Sequence, residues 1–137
     1  MRKLAVILAV ALCAAACEPK VEMDPLLFES DQIGLMVKGK KVFTYTEGTM
    51  QLATNPNLGQ FRAGNDDMSQ YFVFTYGTLP REKGQELKGD IRYCTSGGNV
   101  KSTSGLTFKV EKTDANTGLV WLWCAADKTG AIIKLPN

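Results

Sequence analysis

Four cysteines and a complete lack of histidine bound the chemistry open to this 137-residue chain. Without an imidazole, Ser-His-Asp and Cys-His mechanisms have no base, and the commonest zinc ligand is missing. The sequence contains no Ser-x-x-Lys, no P-loop, no dinucleotide fingerprint and no Cys-x-x-Cys. Paired carboxylates remain a route to glycoside hydrolysis. The obvious pair, Asp66 and Asp67, is adjacent in a polar stretch, which is the usual pattern of a solvated turn. Asn65, Asp66 and Asp67 also present oxygen donors suited to Ca²⁺, yet they lack the longer ligand spacing of a calcium loop. They are the one metal candidate, and no residue pattern asks for a cofactor. Trp121 and Trp123 share one face of an expected strand with Leu119. Their first reading is core, because aromatics dominate small cores. Their second is a platform for stacking sugar rings or a peptide. Val120 and Leu122 make the opposite face apolar as well, and only one of the two faces has to be the main core.

Charge narrows the partners. Arg2 and Lys3 account for two of the 16 basic residues, leaving 14 against 14 acidic ones in the rest of the chain. A balanced body has no long-range field to steer nucleic acid or anionic lipid toward it, so no nucleic-acid partner is expected.

The N-terminus carries the strongest signal. A positive Met1-Arg2-Lys3 precedes the nine apolar residues Leu4–Leu12. As a helix that run rises about 14 Å, about half of a bilayer's hydrocarbon thickness, which is the size of a signal h-region. Ala14, Ala15 and Ala16 then lead into Cys17. Ala14-Ala15-Ala16 fits ordinary signal peptidase as a small-x-small site. The same residues before Cys17 resemble the lipobox of Gram-negative bacterial lipoproteins, with Ala14 where that motif usually has Leu. The resemblance covers residues 1–17. It implies a diacylglyceryl group on the Cys17 thiol, cleavage before it, acylation of the new amine, and an envelope location at the outer membrane, periplasmic or surface-exposed. Several acyl chains, each contributing about 0.8 kcal/mol per buried methylene, make such an anchor effectively permanent.

Cysteine arithmetic agrees with this. If Cys17 were only the first residue of a secreted chain, three cysteines would remain and one thiol would be unpaired in an oxidising compartment. With Cys17 lipidated and Cys13 removed, Cys94 and Cys124 are left as one pair. A disulfide closing the 29 residues between them is expected to stabilise the fold by about 3 kcal/mol in the chain-entropy model. Strict alternation places Cys94 on the face of Asp90 and Arg92, which requires a bulge or an edge position for that bridge.

These chemical groups need elements to hold them. The sequence predicts a cleaved signal over 1–16, a lipidated tether over 17–31 and a single all-β domain over 32–137. Pro19 and Pro25 oppose a regular element across the tether. Leu26-Leu27-Phe28 is too apolar for a free linker and is expected to pack onto the domain or start its first strand. From Ile33 on, β-branched and aromatic runs alternate with turn residues. Lys38-Gly39 suits a two-residue turn, and Phe72, Phe74 and Tyr76 share a face. The polar stretches 61–69 and 96–104 read as loops. In the run Leu106–Lys112, Leu106, Phe108 and Val110 point inward, and Thr107, Lys109 and Glu111 point to water. About eight short antiparallel strands result. A β-sandwich is expected, with a small up-and-down β-barrel as the alternative, because Leu119–Ala125 reads as a strand covered on both faces. The functional expectation is an envelope lipoprotein acting as a non-enzymatic binding or interaction module for a glycan, a peptide or a partner protein. A structural or assembly accessory of an envelope complex comes second, and a carboxylate-based glycan hydrolase third.

Overall fold

A computed structural model describes residues 21–136. The signal segment and Cys17 lie outside the described residues. Nine antiparallel strands form one continuous sheet: β1 (Gly34–Val37), β2 (Lys40–Thr44), β3 (Gln51–Asn55), β4 (Gln60–Gly64), β5 (Tyr71–Tyr76), β6 (Glu86–Cys94), β7 (Lys101–Thr113), β8 (Leu119–Cys124) and β9 (Thr129–Lys134). Their order is β2-β1-β9-β8-β7-β6-β5-β4-β3, an up-and-down meander whose last strand returns to pair with its first. The sheet curls into a half-barrel. Phe43 of β2 meets Phe72 of β5 edge-on at 5.1 Å, although five strands lie between β2 and β5 along the sheet. An odd number of alternating strands leaves both edges, β2 and β3, running the same way, so the meander cannot close on itself with an antiparallel pair.

All-β is thus the fold, while the expected sandwich gives way to a single curled sheet. The reason lies in β8, whose six residues are all buried. Its inner face (Val120, Leu122) packs with Phe108, Val110, Ala131 and Ile133 in the concave core. Its outer face (Trp121, Trp123) is covered by the N-terminal segment instead of a second sheet. That segment carries a short helix, α1 (Pro25–Phe28), with Asp24 as N-cap accepting from Leu26 N at 2.9 Å and Pro25 in its first turn. Leu27 is fully buried and Met23 nearly so, both within the main core cluster. Trp121 Nε1 donates to Ser30 O at 2.9 Å. Lys112 Nζ lies 4.6 Å from the Trp121 ring centroid and 5.5 Å from that of Phe28, within cation–π range of both. Gly130, opposite Trp123, has room for nothing more: an added Cβ would sit 2.5 Å from Trp123 Cε3 and 2.9 Å from Leu27 Cδ2.

Two stretches read as loops from sequence are strands. Gln60–Gly64 pairs on both sides as β4, burying Phe61 and Ala63. β7 starts at Lys101 and runs to Thr113. The polar residues of both are the solvent-facing half of an alternating pattern, or an exposed strand end. Bulges supply the curl. On β7 the extra residue is Gly105, at φ +71, whose N–H donates to Asp90 Oδ1 at 2.8 Å. A second β7 bulge falls at Glu111, between Val110 and Lys112. The turn at Lys38-Gly39 has positive φ at both residues, 51° and 80°, as a type I′ hairpin requires.

The expected Cys94–Cys124 bridge is absent, and both thiols are free and buried. Register explains why. Glu86, Lys109 and Trp123 lie in one row across β6, β7 and β8. Cys124 follows that row directly, whereas Cys94 closes β6 eight residues away, about 26 Å along the strand. A disulfide needs Cα atoms within about 7 Å. Cys94 sits on the outer face in a small cluster with Tyr71 and Val73, its Sγ 3.0 Å from Gly98 O.

Two expected outcomes follow from this packing. Leu27→Ala should cost about 2–4 kcal/mol in urea unfolding, whereas Leu26→Ala, at a position 69% exposed, should stay within about 0.5 kcal/mol. Thiol titration of the unfolded chain without reductant should find Cys94 and Cys124 both reactive, and reductant should leave the melting temperature unchanged.

Candidate functional site

Concavities lie at the end of the sheet where β9 finishes and the β7–β8 turn sits. Asp114 builds that turn, its Oδ1 accepting from Asn116 N at 2.9 Å and its carbonyl from Gly118 N at 2.8 Å. Leu135 N donates to Gly118 O at 2.9 Å and pins the turn to the C-terminal strand. Two clefts adjoin at Leu119. The larger, about 470 Å³, is lined by Asp31, Gln32, Tyr45, Glu47, Thr117 and Lys134 over Ile33, Leu52 and Leu119. The smaller, about 310 Å³, runs from Leu119 and Val120 past Thr113 to Arg81 and Pro136. An apolar floor with a few converging polar groups, at a volume of about 300–1,000 Å³, is the usual make-up of a small-ligand site. Tyr45 is held in place by two bonds, its N donating to Ile33 O at 2.9 Å and its hydroxyl to Met50 O at 3.2 Å.

A second site lies on the outer face beside the N-terminal segment. A cavity of about 150 Å³ is bounded by Glu22, Glu86, Thr107, Phe108, Lys109, Glu111, Trp123 and Ala125. Glu111 is only 3% exposed, and its Oε1 has no hydrogen-bond partner; Trp123, 5% exposed, likewise leaves its Nε1 buried and unpartnered. Alternation places Glu111 on the outer face with Lys109, and it is there that it lies; the expected exposure to water is lost because that face is covered. Burial pushes its carboxyl pKa up, and Glu22 adds to the rise, while Lys109 and Lys83 oppose it from a distance. The signal for this site was absent from the sequence, since what covers the outer face of β7 and β8 is settled by tertiary packing. The third unpartnered buried polar atom among the described residues is the Tyr76 hydroxyl, whose pKa burial also raises.

The residues singled out from sequence do not converge. Asn65, Asp66 and Asp67 form the β4–β5 hairpin and bond to themselves: Asn65 Oδ1 accepts from Gln70 N at 2.9 Å, and Asp67 Oδ1 from Ser69 N at 3.1 Å. The Ser69 bonds hold the Asp67 carboxyl below its ordinary pKa. Among the described residues no group of three or more His, Cys, Asp or Glu is placed to hold a metal ion. Trp121 and Trp123, 2% and 5% exposed, lie beneath the N-terminal segment, so their faces are taken by packing. Glu47, Glu111 and the Asp66-Asp67 pair occupy three separate places; the carboxylate that shares a cleft with Glu47 is Asp31.

No known family, no curated protein and no solved structure matches the chain.

Glu111 gives a pH test with a definite sign. Its folded pKa lies above its unfolded one, so ionisation costs stability in the folded state only. That cost is absent below the unfolded value of about 4.3 and complete once pH exceeds the folded value. Glu111→Gln should therefore unfold at a higher temperature than the parent at pH 7, and the gap should vanish as pH falls below about 4.

Proposed function

We propose that this protein is a cell-envelope lipoprotein anchored through Cys17, whose β domain is a non-enzymatic interaction module. Its ligand is a glycan, a peptide or a partner envelope protein, taken in the paired clefts at Leu119. The observation that carries the reading is the larger cleft. Around an apolar floor it gathers a phenol, an amide, a hydroxyl, an ammonium and two carboxylates, a set that can match a ligand's hydroxyl and amide groups one by one. The Met1–Cys17 layout supplies the anchor and the compartment.

A second reading, an assembly accessory, draws on the sheet's two open edges. β2 and β3 run in the same direction with no ladder between them, so one partner strand running the other way would pair antiparallel with both. Such edges are adhesive unless managed.

Mass spectrometry of the membrane-extracted chain should find an N-terminus at Cys17 carrying acyl mass. Glycan and peptide arrays should give a ligand whose binding drops about tenfold in a Lys134→Glu, Gln32→Ala double variant. A water-soluble product with an unmodified Cys17 sulfur would remove the anchored reading. Release of reducing sugar from any arrayed glycan, abolished by Asp31→Asn or Glu47→Gln, would replace the module with a hydrolase.

A further inference from the structure

The two open edges of the sheet meet solvent differently. β2 carries Lys40 and Lys41, follows Lys38 in the turn before it, and has a bulge in its pairing with Leu35 and Met36. Lysines and bulges are common guards against a neighbour adding to an edge. β3 has neither. Its pairing with β4 is regular from Gln51 to Asn55, it contains no proline, and no charged residue occurs between Glu47 and Arg62. Gln51, Ala53, Thr54 and Asn55 are all exposed.

Register defines what this edge offers. Asn65 N donates to Gln70 O at 3.0 Å and Tyr76 N to Gly59 O at 2.8 Å, so the odd-numbered residues of β4 bond toward β5 and the even-numbered ones toward β3. Gln51, Ala53 and Asn55 stand opposite Gly64, Arg62 and Gln60 and direct their N–H and C=O groups to them. Leu52 and Thr54 direct theirs outward. Met50, the preceding residue of that outward series, has its carbonyl taken by the Tyr45 hydroxyl at 3.2 Å.

We propose that β3 pairs antiparallel with β3 of a second copy of this chain, about a two-fold axis through Ala53. Leu52 exchanges both backbone bonds with the partner subunit's Thr54, and Thr54 does the same with the partner subunit's Leu52, so all four outward groups are satisfied. The strand is chemically symmetric about its centre, with an amide side chain at each end and Ala53 in the middle. Gln51 falls opposite the partner subunit's Asn55, which makes one amide pair on each side of the axis. Ala53 meets its own copy as a non-hydrogen-bonded pair, with Cα atoms about 4.5 Å apart, where a small residue fits. An isologous contact sets a surface against itself, and an uncharged strand brings no like charges together. The lysines of β2 would repel in the same arrangement. The hairpin tip after β3, where Leu58 is 62% exposed, comes beside the residues that precede the partner subunit's β3. Leu52 lies in the floor of the larger cleft, and the partner subunit's Thr54 extends that floor. Five residues a side, against about 20–30 in a standard interface, make this a weak, exchanging contact, suited to chains already concentrated on one surface. It does not rest on the anchored reading.

Cross-linking tests the register. The full chain carrying Ala53→Cys, in detergent micelles without reductant, should form a disulfide-linked dimer, because the paired Cα atoms lie within bridging range. Gln51→Cys, about 13 Å along the strand from its own copy, should do so at least about tenfold more slowly. Cys94 and Cys124 are buried, and a dimer through any native cysteine would appear in the parent as well. Adding Thr54→Pro removes an outward N–H that the monomer leaves to solvent; it should slow the Ala53→Cys cross-link about tenfold with the circular dichroism of the chain unchanged. Ala53→Lys and Ala53→Glu should each sediment as monomers, and their mixture should dimerise; if the proline unfolds the chain, this mixture decides. No cross-link at position 53, equal rates at 51 and 53, a rate that a folded Thr54→Pro variant leaves undiminished, or a charge-swapped mixture that stays monomeric would overturn the pairing. None of these readouts involves the acyl group, so the pairing and the anchorage fail separately.

Discussion

Every part of this structure answers to β8, a strand with no polar face. Leu119–Cys124 must lose water on both sides, and with about 25 cal/mol for each Å² of apolar surface buried, leaving two indoles uncovered would forfeit several kcal/mol. The concave side is covered by the curling of the sheet. The convex side is covered by thirteen residues that precede β1, with Leu27 set over Gly130 and the Ser30 carbonyl taking the Trp121 N–H. Glycine at 130 is the local condition for this, because a side chain there would occupy the space that Leu27 and Trp123 share.

Curvature and chemistry are linked through β7. Its two bulges bend the long strand around the core, and Glu111, the extra residue of the second, lines the outer cavity together with Trp123. Glu111 is the one buried carboxylate among the described residues. A carboxylate so placed is a cost to stability. The clefts at Leu119 arise differently, where β9 and the β7–β8 turn end together and the N-terminal segment crosses to enter β1. One site therefore lies beside the N-terminal segment on the outer face and the other where elements stop.

The N-terminal segment is part of the folded body. With Met23 already in the core, the span between Cys17 and the folded body is only a few residues, and a lipid on Cys17 would leave the domain close to its membrane. The free thiols fit a fold whose cohesion comes from the two-sided packing of β8. They lie at opposite ends of the sheet and take no part in cross-linking it.

Period-2 alternation and turn residues made the all-β class, most strand positions and the Lys38-Gly39 hairpin legible in the sequence, because strands and tight turns are specified by neighbours in the chain. The same alternation put Cys94 on the outer face with Asp90 and Arg92, where it is found. The lipobox-like run before Cys17 is likewise local, a string of residue types read in order. What the tertiary structure alone decided is long-range. An apolar outer face on β8 predicts a cover without saying whether a second sheet or a four-residue helix supplies it. The separation of Cys94 from Cys124 follows from three strands in register. The burial of Glu111 follows from the packing over the outer face of β7 and β8, which no local pattern of residues specifies.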